Sequence, residues 1–339
     1  MDARQCLLND WQHGFPLRAR PYAQLAQVTG LTEAEVMQTL RQALADGRVS
    51  RIGGVFAPGV GGASVLAAMA VPDHRIETVA ARVSAHPGVN HNYLREHRLN
   101  LWFVMTGSDR QAVESGVAEL ESACGLRALR LPLLRAYHVD LGFDLRGRCG
   151  AVRRPGRAAV NVVPISADQW PLAGRAEVGL AVTERPYAVW ADGLGWDEGR
   201  VLQCLQDWLQ AGQLKRFGVV VRHHELGFAA NAMVVFDVPD AAADACGQAL
   251  AGQPGVTLAY RRARAAGWPY NLYVMVHGAQ RDAVQAVIER TTAEAGLAPY
   301  PREVLFSTRR FKQTGARRFR GWDAAPAAPL QEMRDALAG

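Results

Sequence analysis

The sequence predicts an α+β chain in which one unit is written twice, and three observations carry that prediction. Matched residues recur at a nearly constant offset. Arg20-Pro21-Tyr22 returns 165 residues on as Arg185-Pro186-Tyr187, Arg51-Ile52-Gly53 as Arg216-Phe217-Gly218, and Gly62 as Gly227. Pro87-Gly88-Val89 with Tyr93 returns 167 on as Pro254-Gly255-Val256 with Tyr260, and Asn100 to Gly107 returns 171 on as Asn271 to Gly278. The drift places short insertions in loops, where they cost little. In addition, each copy opens on helical periodicity and closes on an alternation of strand-like and helix-like segments.

In the first copy, helical spacing runs from Ala23 to Gly30. Thr32 and Glu35 then have the S/T-x-x-E spacing that opens a helix reaching about Ala45, with Val36, Leu40 and Leu44 on one face. Gly47 ends it, and Arg48 to Gly53 reads as a short strand, giving helix, turn, helix, wing. Strand Ser64–Val71, helix Ile76–Ser84, strands Val89–Arg95 and Leu99–Thr106, helix Asp109–Cys124 and strand Leu129–Tyr137 follow. That order is a ferredoxin-like βαββαβ plait. The second copy repeats the module, with Val201, Leu205 and Leu209 on the helix Trp196–Gly212, and its plait runs from about Ala229 through Phe311. The division is module 1–62, plait 63–145, an Arg/Gly/Pro linker 146–170, module 171–227, plait 228–325 and a tail 326–339.

A chain of 339 residues, 49% hydrophobic and 21% charged, has the balance of a folded soluble protein. It has no uninterrupted apolar run long enough to cross a membrane, and no signal-like N-terminus. Its five cysteines (Cys6, Cys124, Cys149, Cys204, Cys246) lack metal-ligand spacing, which points to reduced thiols, a cytoplasmic setting and no metal site. The net charge is +6, and Lys215 and Lys312 are the only lysines. Nearly every cation is therefore a guanidinium fork suited to carboxylate or phosphate.

Module followed by plait resembles the Lrp/AsnC family of regulators, which read DNA with the second helix of the module. Here that helix carries Glu33, Glu35 and Asp46 against Arg41, and its repeat carries Asp197, Glu198 and Asp207 against Arg200. Both are net negative, which argues against DNA as a partner. The basic residues gather instead in the linker (Arg146, Arg148, Arg153, Arg154, Arg157) and near the C-terminus (Arg309, Arg310, Lys312, Arg317, Arg318, Arg320). Both runs are expected to be solvated.

Three segments carry more polar and aromatic groups than packing needs. In Val89 to His97, alternation puts His91, Tyr93 and Arg95 on one strand face and Asn90, Asn92 and Leu94 on the other. Lys215 to Gly227 ends in Arg222-His223-His224. Gly267 to Gly278 holds an exposed Trp268-Pro269-Tyr270 turn, then a strand ending at His277.

These motifs, RFGVVVRHHELGFAANAMVVF, WPYNLYVMVHG, and VNHNYLREH followed by NLWFVMTG, resemble siroheme decarboxylase in the fused two-part form of the haem d1 pathway, from about residue 4 to 322. The resemblance implies a carbon-carbon lyase acting near the plaits. It would remove the C12 and C18 acetate carboxyls of sirohaem without oxidation to give 12,18-didecarboxysirohaem, with histidines in catalysis and cations holding the substrate. Loss of carbon dioxide followed by protonation asks for an acid with a pKa near neutrality. We therefore expect His91, His277, His223 and His224 as acids, one of the last pair being a possible axial ligand. Arg51, Arg95, Arg216, Arg222 and Arg261 are expected as carboxylate clamps, and Tyr93, His97, Tyr260, Trp268 and Asn271 against the macrocycle. No cofactor is required, since the iron belongs to the substrate. The second copy departs from the family pattern, with Leu258 where a histidine precedes the strand tyrosine. The two halves are expected to form an intramolecular pseudo-dimer, with a homodimer possible. The alternative is an Lrp/AsnC-like haem-responsive DNA-binding transcriptional regulator, which would use the same histidines.

Overall fold

The structure, a computed structural model, describes residues 3–139, 162–222 and 230–322. These fall into two compact units. One gathers the described residues up to 62, those of 163–221 and those from 315 onward; the other gathers those of 63–162 and 222–314. Module groups with module and plait with plait. No helix among the described residues is long and apolar enough to cross a membrane.

The helical unit contains α1 (Ala3–Asp10), α2 (Pro21–Thr29), α3 (Glu33–Ala45) and β1 (Val49–Phe56), then α6 (Trp170–Val178), α7 (Pro186–Asp192), α8 (Glu198–Gln210) and β6 (Leu214–Val221). Thr32 caps α3 through the expected box, its N–H donating to Glu35 Oε2 at 2.8 Å. Asp197 caps α8, so this helix begins at Glu198, two residues later than the periodicity suggests, and Trp196 instead lies under the Arg200 guanidinium. The wings β1 and β6 pair antiparallel, with Gly53 opposite Gly218. Glycine is needed there, because a Cβ at Gly53 would meet Ala176 O at 2.6 Å and one at Gly218 would collide with Trp11 O. The end of each copy's leading helix thus lies on the other copy's wing: Leu180 N–H donates to Ile52 O and Val219 N–H to Trp11 O.

The C-terminal stretch also belongs to this unit. Phe319 packs on Phe56 and Trp170, while buried Glu177 accepts from Arg318 N–H and Phe319 N–H. Arg320 Nε lies 4.0 Å from the same carboxylate. Arg318 and Arg320 therefore serve a buried anchor rather than the solvated face expected of them.

The second unit is a closed ring of eight antiparallel strands. Its first plait is β2 (Ala63–Met69), α4 (Ile76–Ala85), β3 (Val89–Arg95), β4 (Leu101–Gly107), α5 (Arg110–Cys124) and β5 (Ala128–Val139). The second is β7 (Ala230–Phe236), α9 (Asp240–Ala251), β8 (Val256–Arg262), β9 (Leu272–Gly278), α10 (Arg281–Glu294) and β10 (Arg302–Gln313). The ring order is β10-β3-β4-β2-β5-β8-β9-β7. The last strand of each plait has 12 residues against seven in the others, and the extra length closes the ring. Residues 128–132 of β5 pair with β2, and 133–139 cross over to β8. Residues 302–306 of β10 pair with β7, and the rest with β3. Closure leaves no open edge on either plait, so the two copies are joined at two seams, β3·β10 and β8·β5. Apolar residues on alternate positions pack under the helices, as do Ala232, Val234, Phe236, Val274 and Val276. The opposite face fills the ring with Leu66, Trp102, Leu131, Met233, Trp268, Tyr273 and Leu305.

Candidate functional site at the seams of the barrel

Because strand side chains alternate, residues directly opposite across a seam share a face. On the inward face of β3·β10 the pairs are Arg95 with Ser307, Tyr93 with Arg310, and His91 with Gln313. The corresponding pairs of β8·β5 are Arg262 with Leu133, Tyr260 with Ala136, and Leu258 with Val139. Both seams keep a tyrosine followed two residues later by an arginine. They differ in the remaining positions, which are polar or cationic at one seam and apolar at the other.

At the polar seam the expected row of His91, Tyr93 and Arg95 lies on one face. The His91 and Tyr93 rings stack, with centroids 6.3 Å apart, and the Arg95 guanidinium sits 5.5 Å from the Tyr93 centroid. That face is the inside of the ring. Arg95 is buried and donates from Nη1 to Leu305 O at 2.9 Å, while its Nε has no partner. Among the described residues it meets no carboxylate, and burial lowers its pKa to about 10, opposed by Tyr93. A guanidinium desolvated in this way favours any anion brought near it. Burial raises the Tyr93 pKa, while Arg95 and Arg310 pull it down, so both cations act on the same ring. Arg310 Nη1 donates to Gln313 Oε1 at 3.1 Å, linking the two β10 side chains that flank the row.

Simple alternation fails at Asn90, which was expected on the opposite face from His91. The pairing slips between Val89 and His91, and this bulge turns Asn90 inward. Its Oδ1 lies 2.8 Å from His91 Nδ1 and its Nδ2 lies 3.4 Å from Thr106 Oγ1. Asn92 does face the helix layer, donating to Ala80 O and Ser84 Oγ.

The second copy places the same bulge between Val256 and Leu258. Thr257, the counterpart of Asn90, lies 2.8 Å from His277 Nδ1 and donates to Met275 O. His277, on β9, occupies the position of Thr106 on β4 in the repeat, so the inward histidines His91 and His277 stand on strands that are not equivalent in the two copies. Asn231, directly opposite His277, is buried with Oδ1 unpartnered.

Other expected residues lie elsewhere. Arg261 turns out to Asp240 and Asp244 on α9; the true counterpart of Arg95 is Arg262, which donates to Leu131 O and lies over Tyr260 and Tyr273. The constant offset of 167 could have found it. Asn271 spends its amide on the backbone of Val238, as Asn100 does on Val71. Arg51 and Arg216 belong to the helical unit, where they donate to Gly54 O and Gln12 O. Arg222 is half-buried, with Nε unpartnered. His223 and His224 lie outside the described residues, as do the linker arginines. Trp268 is not exposed: its ring is buried against Trp102 and His97, and Nε1 donates to Tyr273 Oη at 2.7 Å. Burial lowers the His97 pKa, opposed by Glu303. Arg310 and Gln313 have no motif to announce them and enter the ring only through pairing between distant strands, while Asn231 lies within a quoted motif without standing out in it. Among the described residues, no group of three His, Cys, Asp or Glu could hold a metal ion.

Comparison with known proteins agrees with this architecture. A model of the AsnC-like ligand binding domain matches residues 60–138 and 225–312, and one of the siroheme decarboxylase NirDL-like HTH domain matches 5–49. The chain is 41% identical to the siroheme decarboxylase NirDL subunit of Paracoccus denitrificans over 91% of this chain and 95% of that one. It is 30% identical to the siroheme decarboxylase of Hydrogenobacter thermophilus over 91% and 92%. The crystal structure of a siroheme decarboxylase NirDL superposes with a TM-score of 0.66 at 26% identity, covering all of both chains. A NirDL structure in complex with an iron-uroporphyrin III analogue superposes at 0.64 and 27%, covering 99% of this chain and 98% of that one.

Proposed function

This chain belongs to the siroheme decarboxylase family, and from that premise we propose that it removes the C12 and C18 acetate carboxyls of sirohaem, giving 12,18-didecarboxysirohaem on the route to haem d1. The observation that carries the assignment to a place is the polar seam, where His91, Tyr93, Arg95, Arg310 and Gln313 share one inward face.

In each step the bond between the methylene and the carboxyl carbon breaks. Carbon dioxide leaves, the bonding pair is taken up by the macrocycle when it is transiently protonated, and the pair returns to the methylene carbon as that carbon gains one proton to become methyl, the ring giving up its own. No electron is gained from or lost to an outside donor, so the reaction is a carbon-carbon lyase step without a redox partner. The iron arrives with the substrate. Histidine suits the proton transfer because it holds and releases a proton near neutral pH. His91 is the acid at the polar seam and His277 the acid of the second copy.

Arg95 and Arg310, on either side of Tyr93, supply positive potential for the substrate's carboxylates. Arg310 is the half-buried fork that can pair directly, and Arg95 is the buried charge behind it. Asn231, with an unpartnered amide oxygen opposite His277, offers a further polar contact. Burial of these groups strengthens each interaction relative to water.

The test is anaerobic incubation of the protein with sirohaem, followed by mass spectrometry of the tetrapyrrole. Loss of two carboxyl groups is expected. An unchanged mass with tight binding would reduce the protein to a tetrapyrrole carrier.

A further inference from the structure

We infer that the two bulge residues, Asn90 and Thr257, are positioning residues that hold His91 and His277 in one tautomer, with the proton on Nδ1. This inference rests on the reading of those histidines as acids and adds what prepares them.

A threonine hydroxyl has one hydrogen. That of Thr257 is donated to Met275 O at 3.0 Å, so toward His277 Nδ1, at 2.8 Å, the oxygen can only accept. Nδ1 therefore carries a hydrogen. At the equivalent bulge of the first copy, the Asn90 amide nitrogen is directed to Thr106 Oγ1, which leaves Oδ1 toward His91 Nδ1 at 2.8 Å. An amide oxygen is an acceptor only, so this Nδ1 carries a hydrogen as well. Both holding side chains are buried, Asn90 at 5% and Thr257 at 2% exposure, and so give a fixed partner rather than one exchanged with water.

The two copies reach this result with different residues. The histidine is on β3 in the first copy and on β9 in the second, and the acceptor is an amide in one and a hydroxyl in the other. What they share is the bulge, which aims the residue preceding position 91 or 258 into the ring. The chemical consequence is the same in both. With Nδ1 engaged, Nε2 is the nitrogen through which each ring exchanges its proton with substrate, and the neutral acceptor on Nδ1 supports the imidazolium form that donates.

Nitrogen-15 NMR of the full-length protein reads the tautomer directly, with no substrate present. The two signals are assigned from the His91→Gln and His277→Gln variants. Both rings are expected with a protonated, pyrrole-like Nδ1 and a pyridine-like Nε2 when neutral. Thr257→Val keeps the shape and removes the acceptor. It should shift His277 toward a tautomer mixture and lower kcat by about tenfold with KM unchanged, as for other outer partners of functional histidines, while Thr257→Ser restores both readings. Asn90→Asp, which keeps an acceptor, and Asn90→Leu, which does not, form the same pair for His91. A pyrrole-like Nε2 in the unaltered protein would overturn the inference, and so would unchanged turnover in Thr257→Val. Failure of the unaltered protein to decarboxylate sirohaem would refute the proposed function while leaving the NMR reading intact, so the two failures are distinguishable.

Discussion

The β3·β10 and β8·β5 seams are built to one backbone plan, with the same crossover strands, the same bulge and the same Tyr-x-Arg step, yet their inward faces differ in kind. His91, Arg310 and Gln313 stand at one where Leu258, Ala136 and Val139 stand at the other. Duplication supplied two equivalent scaffolds, and side-chain choice made the inward face of one polar and that of the other apolar. The buried arginines show what remained common: Arg95 donates to Leu305 O and Arg262 to Leu131 O, so each ties its strand to the opposite copy. A buried arginine thus ties the ring at both seams, whereas the further polar groups gather at only one.

The largest expected effect does not separate the seams. Trp268 fills the ring interior shared by both, and Trp268→Ala should destabilise the unit by about 3–5 kcal/mol, read as a fall in the thermal midpoint. The next effect does separate them. His91→Gln should reduce sirohaem turnover by about 100-fold or more, as expected for loss of a general acid, whereas Leu258→Gln at the equivalent place should leave turnover within about twofold. Equal losses would break the comparison.

A smaller contrast concerns substrate affinity. Arg310→Met removes a charged hydrogen-bonding group and should weaken sirohaem binding by about tenfold, from roughly 1.5 kcal/mol. Ala136→Ser, opposite Tyr260, should leave affinity unchanged. Titration by absorbance of the tetrapyrrole measures both.

The smallest effect is on stability against pH. Burial depresses the His97 pKa below its ordinary 6.5, so the folded form disfavours the charged ring. Its contribution to stability is present above pH 6.5 and is lost as the pH falls through the depressed value. His97→Gln should flatten that acid-side decline in thermal midpoint.

The repeat made much of this fold legible. Offsets located the paired strands of both copies, and the Thr32 box located a helix start to the residue. The single-face row of His91, Tyr93 and Arg95 also followed from alternation. Two kinds of feature did not. A bulge is a one-residue slip with no composition of its own, so alternation puts Asn90 on the wrong face and gives Thr257 no signal. Ring closure depends on strands far apart in sequence, so the pairing that brings Arg310 to Tyr93 and Gln313 to His91 left no local trace. The Trp268 turn reads as exposed because it falls in residues that the second copy has beyond the first, but the indole is drawn inward by apolar area and the Tyr273 hydroxyl.

The proposed reaction depends most on His91 at the polar seam. Single-turnover mass spectrometry of sirohaem incubated anaerobically with His91→Gln tests it most directly, alongside the unaltered protein. The account predicts that the unaltered protein yields the doubly decarboxylated tetrapyrrole while the variant binds sirohaem and leaves it largely intact over the same interval. Formation of the doubly decarboxylated product by the variant at the unaltered rate would contradict it.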